Sequence, residues 1–586
     1  MNRRDVIKSL ASAGAIGALE LELPSTIKAE EPARLEREGL RFWLETSLRR
    51  VYPTSPPGDA VALAFPAARN EKISLQACFR NLKTNSAVVR CEVVGADNWQ
   101  ARVRRVGFVP MAQLDTYVPK DEIEGIGFIP GLCPDPLYPE PTAHVGPESN
   151  GVFWISLTIP EAERPGVHEL RIKLTLENEY GYTDFVRPKP WSVELPVRID
   201  VRPLVVRPRK NFPATNWLSA DSIWEWYKIE PCGERFWQLA EAYVRNLVEH
   251  GVNVVYSPLF NIRHEILNRP AQLLRVHRTH PDVYTFDFTD VRRWVKIAVA
   301  AGAEHLEWSH FFTPAPTSAK YPQRIFERDS EKIGALLWPP EISATSDTYR
   351  KFLEQFLPAF KAFLEEEKVL DRSFFHCADE PDGDVQMADY RKARGLLLEL
   401  APWMKLMDAM SDPRFATEKL SDMPIPSIAT APAFTAAGCP AWAYFCCGPR
   451  DRFVQRLLDT PLAKIRMSGW LFYKLGAKGF LHWGHNYWFV FCTSQIGNPF
   501  QDASVGAWPG MPYGDAFVVY PGTDGPIDSI RWEVFAESLQ DYALLQSAGI
   551  PPDDPLLDPI KDYATFPKSI DWLAAARLKV LSAASP

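Results

Sequence analysis

The sequence has no run of basic residues long enough to follow a phosphate backbone, and its formal net charge is -8. A negative chain without a basic stripe is a poor partner for nucleic acid, so that class of function is excluded. No apolar stretch reaches the length that spans a bilayer, which predicts a soluble chain without a membrane span. With 586 residues, 46% of them hydrophobic and 24% charged, the chain is globular and long enough for two or three domains.

Signatures of metal and nucleotide binding are missing as well. Nine cysteines are scattered along the chain, only Cys446 and Cys447 are adjacent, and there is no C-x-x-C pair or Cys/His cluster at ligand spacing. This pattern argues against a structural zinc site. No glycine-rich dinucleotide loop follows any predicted strand, so we predict no cofactor and assign no metal.

The first 29 residues have the composition of an export signal. Arg3 and Arg4 are followed by Lys8 and by a short run of small apolar residues up to Leu19, which is typical of a twin-arginine signal. Segment 1–29 is therefore predicted to direct export to the periplasm or the extracellular space. The alternative is a tail that carries Arg-Arg without any targeting role.

Residues 30–205 alternate apolar and polar side chains with a period of two. The stretches KISLQACFRNL, SAVVRCEVV, VFWISLTIP, GVHELRIKLTLEN and WSVELPVRIDV are rich in β-branched and aromatic residues and are bounded by Pro, Gly or Asn. Such segments predict strands, and several of them at this spacing favour an antiparallel β-sandwich. The proline-dense VRPLVVRPRKNFP then predicts a stiff linker.

Residues 206–586 alternate between helical and strand patterns. Amphipathic segments such as ERFWQLAEAYVRNLVEHG and TDVRRWVKIAVAAGA predict helices. Strands are predicted at ATNWL, VNVVYSPLF, HLEWSHFF, SFFHCADEP, MKLMDAM, SIATAP, AWAYFCC and GFLHWGHNYW. Eight strands with helices between them predict a (β/α)8 barrel of the TIM type, enlarged by insertions. An open doubly wound sheet is the alternative.

Two adjacent carboxylates end the fourth of these strands, in the stretch FFHCADEPDG. Pro381 stops the strand directly after Asp379 and Glu380, and the active sites of such barrels lie at the carboxyl ends of the strands. In a poorly solvated site, one carboxyl keeps its proton and acts as a general acid while its neighbour stays ionised. We therefore predict that both are catalytic; the alternative is an exposed pair that caps the following helix.

A dense group of aromatic and polar residues, HWGHNYW, ends the eighth strand of a chain that contains 19 Trp. Aromatic rings stack on sugar faces, and amide and imidazole groups bind hydroxyls. Other strand ends contribute Trp217, Glu307, Trp308, Asp408 and Tyr444. The predicted substrate contacts are His482, Trp483, His485, Asn486, Trp488, Tyr444, Asp408 and Trp308. Packing or a loop hydrogen bond is the alternative for each of them.

The stretch SIRWEVFAESLQDYALL places charged side chains at helical spacing. Glu533, Glu537 and Asp541 follow one another at intervals of four residues, and Arg531 lies two residues before Glu533. We interpret this helix as structural, with Arg531 paired to a carboxylate one turn or more away. No catalytic role is assigned to it.

Taken together, these stretches resemble glycoside hydrolase family 123 and the wider group of proteins that share its catalytic domain. The resemblance rests on PGLCPDPLYP and WISLTIPEAERPGVHELRIKLTLEN in the first part and on ADEP, GFLHWGHNYW and IDSIRWEVFAESLQDY in the second. It implies a β-sandwich followed by a (β/α)8 barrel, and a retaining β-N-acetylgalactosaminidase that uses the 2-acetamido group of its substrate. Glu380 then resembles the general acid/base, and Asp379 the residue that accepts the acetamido N–H. Aromatic residues of HWGHNYW, with Tyr444, would wall the acetamido pocket.

Other functions stay open, each with a glycan or glycoconjugate as the partner. A glycosidase for a sugar without an acetamido group would need a distant carboxylate, such as Glu307 or Asp408, to work with Asp379 or Glu380. A non-catalytic carbohydrate-binding protein would keep the cleft and the aromatics, but binding alone does not need an acid pair. A metal-dependent enzyme is disfavoured by the lack of a spaced ligand cluster.

Overall fold

The computed structural model describes residues 35–181, 189–260, 270–329 and 333–583. The predicted export signal, residues 1–29, lies outside the described residues. Within the described ranges, no helix is both long enough and apolar enough to cross a membrane.

The secondary structure changes from strands alone to alternating strands and helices near residue 214. The strands are β1 (Leu35–Arg37), β2 (Leu40–Thr46), β3 (Leu63–Arg69), β4 (Lys72–Asn81), β5 (Ser86–Val94), β6 (Gln100–Met111), β7 (Gly131–Tyr138), β8 (Thr142–Val145), β9 (Ser149–Thr158), β10 (Gly166–Tyr180), β11 (Trp191–Val205), β12 (Ala214–Asn216), β13 (Val254–Ser257), β14 (Arg275–His280), β15 (Val283–Asp287), β16 (His305–Trp308), β17 (Phe326–Arg328), β18 (Ile333–Leu336), β19 (Ser373–Phe375), β20 (Met407–Ala409), β21 (Met423–Ile425), β22 (Ala443–Tyr444), β23 (Phe480–His482), β24 (Val519–Pro521) and β25 (Pro526–Ser529). The helices are α1 (Ala220–Tyr227), α2 (Glu234–Glu249), α3 (Thr289–Ala301), α4 (Asp347–Glu366), α5 (Gly383–Leu400), α6 (Arg414–Thr417), α7 (Ala431–Ala436), α8 (Leu462–Arg466), α9 (Ser468–Lys474), α10 (Ile530–Ser547) and α11 (Ile570–Ala583).

Two largely antiparallel sheets form the N-terminal part, as predicted. One has the strand order β1-β2-β4-β9-β6-β7-β25-β24, and the other has the order β3-β11-β10-β5-β8, with β3 and β11 as a parallel pair. Side chains at alternate positions of both sheets, such as Phe79, Phe153 and Leu174, are buried in a shared core. β11 continues to Val205, so the start of the predicted linker VRPLVVRPRKNFP is strand.

The second part contains parallel strands, whose carboxyl ends meet at one edge. Six of them form a sheet in the order β19-β16-β13-β12-β23-β22, while β20 and β21 form a separate parallel pair. The described parallel strands therefore do not form the one continuous sheet that the predicted closed (β/α)8 barrel requires. Only the isolated bridges Phe375–Leu406 and Ser427–Tyr444 connect the two sets, because β19 to β22 are two or three residues long. The predicted strand SIATAP is misplaced, since β21 precedes it and α7 begins at Ala431.

Helix α10 joins the two parts through buried ion pairs. Arg531 donates from Nη2 to Asp135 Oδ2 on β7 at 3.0 Å, and the hydroxyl of Tyr520 donates to the same oxygen at 2.7 Å. Glu533 accepts a hydrogen bond from Arg104 on β6 at 2.8 Å. Arg531 thus pairs with a carboxylate, but that carboxylate lies on a strand of the N-terminal part and not along its own helix.

Removing the Arg531 guanidinium should destabilise the fold strongly. The substitution Arg531→Met leaves the Asp135 carboxylate buried without its cation, which typically costs about 3–5 kcal/mol of unfolding free energy. The matched control is Arg102→Met, because the side chain of Arg102 is 54% exposed where it contacts Asp528 at 3.3 Å; a loss below about 1 kcal/mol is expected there. Denaturant unfolding of both variants measures the difference, and equal losses would contradict the assignment.

Candidate active site

The acid pair lies on the turn that follows β19. Residues 376–378 follow β19 and are buried, and Glu380 then adopts a left-handed backbone conformation with φ of 43°. Its N–H donates to the carbonyl of Ala409 at 3.1 Å, at the end of β20. On a regular strand Asp379 and Glu380 would point to opposite faces. The left-handed residue breaks that alternation, a strained conformation of the kind that clusters at functional sites.

The pair does not cap the helix that follows it. Helix α5 begins at Gly383 after Asp382 as its N-cap residue, and the side chain of Asp382 makes no capping hydrogen bond. The alternative interpretation of Asp379 and Glu380 as capping residues therefore does not fit.

Glu380 is exposed at the mouth of the site and is oriented by one phenol. The hydroxyl of Tyr444, at the end of β22, donates to Glu380 Oε1 at 2.7 Å. Burial and the charge of Glu380 raise the pKa of Tyr444, so the phenol keeps its proton and stays a donor. A carboxyl that is held in place yet open to solvent can reach the oxygen of an incoming ligand, as a general acid must.

Asp379 is half-buried and borders a cavity of about 170 Å³. The aromatic rings of Trp217, Tyr256, Trp483 and Tyr487 line the same cavity. Burial raises the pKa of Asp379 well above its ordinary value, and the neighbouring Glu380 carboxylate raises it further. The cavity is smaller than typical ligand pockets of about 300–1,000 Å³, so it fits one short substituent or a small sugar residue.

Beneath this cavity, a histidine is enclosed between two carboxylates. Nε2 of His376 lies 2.6 Å from Glu307 Oε1, and its Nδ1 lies 3.2 Å from Asp408 Oδ1. Although burial alone would lower the pKa of His376, its hydrogen bonds to Asp408 and Glu307 raise it to about 10. The ring is therefore an imidazolium at neutral pH. Glu307 Oε1 also accepts from the indole Nε1 of Trp217 at 2.6 Å, which fixes one wall of the cavity.

Glu307 and Asp408 are 0% exposed, so their carboxylates have a supporting role inside the protein. The second oxygen of Asp408 accepts from the hydroxyl of Tyr390 at 2.6 Å and from the N–H of Cys377 at 3.2 Å. The predicted substrate contact of Asp408 is therefore corrected, because its carboxylate is fully occupied inside the protein. Both carboxylates support the site from below.

The residues of HWGHNYW divide between the cavity and the core. Trp483 lines the cavity, and its Nε1 donates to Asp515 Oδ2 at 3.0 Å. The structure corrects the predicted substrate contacts of His482, His485 and Trp488, which are at most 1% exposed. Their rings pack inward, because the chain after β23 turns and presents only some of its successive side chains to the cavity.

Asn486 and Trp308 are also buried, and the predicted substrate contacts of both are corrected. The side chain of Asn486 accepts from the N–H of Ser219 at 2.8 Å and donates to its carbonyl at 3.0 Å. It therefore holds the loop that follows Trp217. Trp308 donates from Nε1 to Ser373 at 3.0 Å in the layer between strands and helices.

Sequence reasoning missed part of the cavity wall. Tyr256 lies within the predicted strand VNVVYSPLF and next to the last residue of β13, and its position near a strand end was a usable signal. Tyr487 lies inside HWGHNYW, where only the contacts of its neighbours were predicted. Ser219 is the N-cap residue of α1 and Asp221 lies in its first turn, and composition gives no signal for either position.

Two buried clusters of the described residues have the atoms of a metal site. One consists of His310, His376 and Asp408, and the other of His250, Asp528 and Glu533. In the first, both nitrogens of His376 already bond to carboxylates. In the second, the nitrogens of His250 lie against the carbonyl of Asn246 and against Glu533. These atoms are occupied by one another, which favours a structural role for both clusters.

Comparison with known proteins identifies the family of the chain. The chain superimposes on a family 123 glycoside hydrolase from Clostridium perfringens that hydrolyses glycolipid glycans, with a TM-score of 0.69 and 14% identity over 93% of this chain and 97% of that chain. A β-D-glucuronidase from Dictyoglomus thermophilum matches with a TM-score of only 0.30 and 10% identity over 87% of this chain and 69% of that chain, which supports no conclusion. No curated protein matches the sequence. The family model of the glycoside hydrolase 123 catalytic domain matches residues 217–548, more than half of the chain, and the protein therefore belongs to glycoside hydrolase family 123.

Proposed function

We propose that this glycoside hydrolase is a retaining β-N-acetylhexosaminidase, of the β-N-acetylgalactosaminidase type, in which the 2-acetamido group of the substrate is the nucleophile. Glu380 protonates the glycosidic oxygen, and Asp379 accepts the acetamido N–H, so that the amide oxygen attacks the anomeric carbon. The aglycone leaves with the proton of Glu380. Water, deprotonated by Glu380, then opens the bicyclic intermediate from the face that the aglycone left, which retains the β configuration.

One observation carries this proposal. Of the carboxylates around the acid pair, Glu307 and Asp408 are buried and hydrogen-bonded to His376. Neither is available as the distant nucleophile that a sugar without an acetamido group would require. When the substrate supplies the nucleophile, two adjacent acids on one turn are sufficient. A small cavity walled by aromatic rings and bordered by Asp379 suits the methyl and N–H of an acetamido group.

The test is hydrolysis of chromogenic β-GalNAc, β-GlcNAc and β-galactose glycosides by the purified protein. We expect turnover of the acetamido sugars, with β-GalNAc preferred, and none of the galactoside. Replacing the acetyl group of the preferred substrate by trifluoroacetyl should lower kcat by at least tenfold, because the fluorines withdraw electrons from the attacking oxygen. Turnover of the galactoside, or indifference to the fluorines, would contradict the mechanism.

The positive charge of His376 should lower the pH at which kcat/KM falls on the acidic side of its pH profile. Its imidazolium lowers the pKa of Asp379, and Asp379 must be ionised to accept the acetamido N–H. In His376→Gln that charge is lost and the pKa of Asp379 rises further, so the acidic limb of kcat/KM should move to higher pH by about one unit. His485→Gln is the matched control, because burial lowers the pKa of His485 and this variant removes no charge. An equal shift in both variants would contradict the role of His376.

We also propose that the eight parallel strands together form a (β/α)8 barrel. The bridges Phe375–Leu406 and Ser427–Tyr444 support this arrangement, since they connect the six-stranded sheet to both sides of the β20–β21 pair. Export by the twin-arginine route is likewise a proposal, supported by Arg3 and Arg4. Cell fractionation of the wild type and of a variant with both arginines changed to lysine tests it, with retention of the variant in the cytoplasm expected.

A further inference from the structure

Cys446 and Cys447 bring their sulfur atoms together just after β22. The two Sγ atoms lie 3.7 Å apart, although neighbouring side chains on an extended strand point to opposite sides. A tight turn causes this approach, since the N–H of Cys446 donates to the carbonyl of Gly448 at 3.0 Å. Arg450 holds the turn from outside by donating to the carbonyl of Cys447 at 2.7 Å. Both cysteines are half-buried.

The thiol pair lies beside the catalytic groups. Cys446, like Trp217, packs against the apolar cluster that contains Tyr444 and Leu481. Tyr444 is two residues earlier in the chain and hydrogen-bonds to Glu380. The hydrogen bond to Cys447 and burial both raise the pKa of the Cys446 thiol. The pair therefore borders the site of proton transfer without belonging to it.

We propose that Cys446 and Cys447 are a redox-active thiol pair that closes to a vicinal disulfide and thereby lowers the activity of the adjacent site. The oxidant is a disulfide, either a small molecule of the glutathione type or a protein of the oxidising compartment. Because the pKa of Cys446 is raised, the thiolate of Cys447 attacks the external disulfide and releases one thiol. Cys446 then displaces the second thiol from the mixed disulfide. One external disulfide is reduced to two thiols for each protein disulfide formed.

The ring that results is labile. Adjacent Cα atoms are about 3.8 Å apart across a trans peptide, whereas disulfides usually connect Cα atoms about 4.4 to 6.8 Å apart. A bridge under that constraint is more reducible than an ordinary structural disulfide. The pair consequently behaves as a reversible switch and not as a permanent crosslink.

The effect on the reaction passes through Tyr444. Closing the ring turns the backbone of residues 446 and 447 away from the conformation that packs Cys446 on the Tyr444 cluster. The phenol then orients the Glu380 carboxyl less well, and the step that needs a directed proton slows. We expect the oxidised form to have a kcat/KM at least threefold below that of the reduced form, with the loss mainly in kcat.

The experiment uses the full-length protein equilibrated with oxidised or reduced glutathione. Intact mass should fall by about 2 Da on oxidation, as two thiol hydrogens are lost, and peptide mapping should place the bond between residues 446 and 447. Dithiothreitol should restore both mass and activity. In Cys447→Ser, the mass loss and the activity difference should both vanish, while the reduced activity stays at the wild-type value. Cys492→Ser, at an exposed cysteine, should behave like the wild type.

Two results would overturn the proposal. One is a stable mixed disulfide with glutathione at either cysteine, because the neighbouring thiol would then have failed to close the ring. The other is an activity difference that persists in Cys447→Ser. The activity measurement rests on the proposed substrate, whereas the mass measurement does not. If the proposed substrate is wrong, the mass measurement still tests the disulfide.

Discussion

Replacing Glu380 with glutamine is expected to lower kcat/KM by a factor on the order of 10² to 10⁴, because the variant cannot protonate the leaving oxygen. The loss should depend on the aglycone. Glycosides with a strongly acidic phenol need little protonation and should lose least, while alkyl and sugar aglycones should lose most. Steady-state kinetics across a series of aryl β-N-acetylhexosaminides measures this dependence. Added azide should partly restore turnover of the best leaving groups and should give the β-glycosyl azide.

The control for Glu380→Gln lies in the same segment. Asp382→Asn changes the next acid along the chain, which is exposed and makes no capping hydrogen bond. It should leave kcat/KM within about twofold of the wild type, in the range of substitutions away from the chemistry. A loss in Glu380→Gln that is uniform across all leaving groups would remove Glu380 from the role of general acid.

Asp379→Asn is expected to lower kcat/KM by a factor on the order of 10² to 10³, the effect of losing one group that aligns and stabilises the reacting centre. An asparagine fills the same space but presents a donor amide that clashes with the acetamido N–H in one of its two orientations. This loss should be nearly the same for every aglycone, in contrast to that of Glu380→Gln. Kinetics on the same aryl series separates the two roles, and an aglycone-dependent loss would mean that they are exchanged.

The pH profile provides a second readout for Asp379. Burial and the charge of Glu380 raise its pKa, so the wild-type enzyme should lose activity, as pH falls, at a higher pH than an ordinary aspartate would impose. That limb should disappear in Asp379→Asn, which has no carboxyl to titrate at this position. Persistence of the same limb in the variant would assign it to another group.

Short-range pattern predicted most of the strands and the position of the acid pair. The period-two stretches became β4, β5, β9, β10 and β11, because each buries at least one face in a core. Asp379 and Glu380 were predicted at a strand end because the proline and glycine that follow them leave the backbone little choice. Burial, by contrast, depends on partners far away in the chain. The buried state of His482, His485 and Trp488 could not be predicted from the composition of HWGHNYW, which is the same for a sugar site and for a core.

The position of His376 between two carboxylates could not be predicted from the sequence for the same reason. Glu307 and Asp408 lie on β16 and β20, His376 directly follows β19, and each has an ordinary neighbourhood in the sequence. Only the parallel arrangement of β16, β19 and β20 brings them together. The direction of the predicted strands places the candidate site at their carboxyl edge, but it does not show which of the side chains at that edge face inward.

The pairing of β7 with β25 has a consequence for how the chain is made. Leu137 on β7 is the register partner of Asp528 on β25. The edge of β7 therefore has no partner strand until β25 is translated, several hundred residues later. At about 5 to 20 residues per second, the delay is on the order of half a minute. During that time the nascent chain presents an unpaired strand edge, which is a template for pairing with other chains. Slow translation of the C-terminal third, or a stop before residue 526, should therefore increase the aggregation of the product.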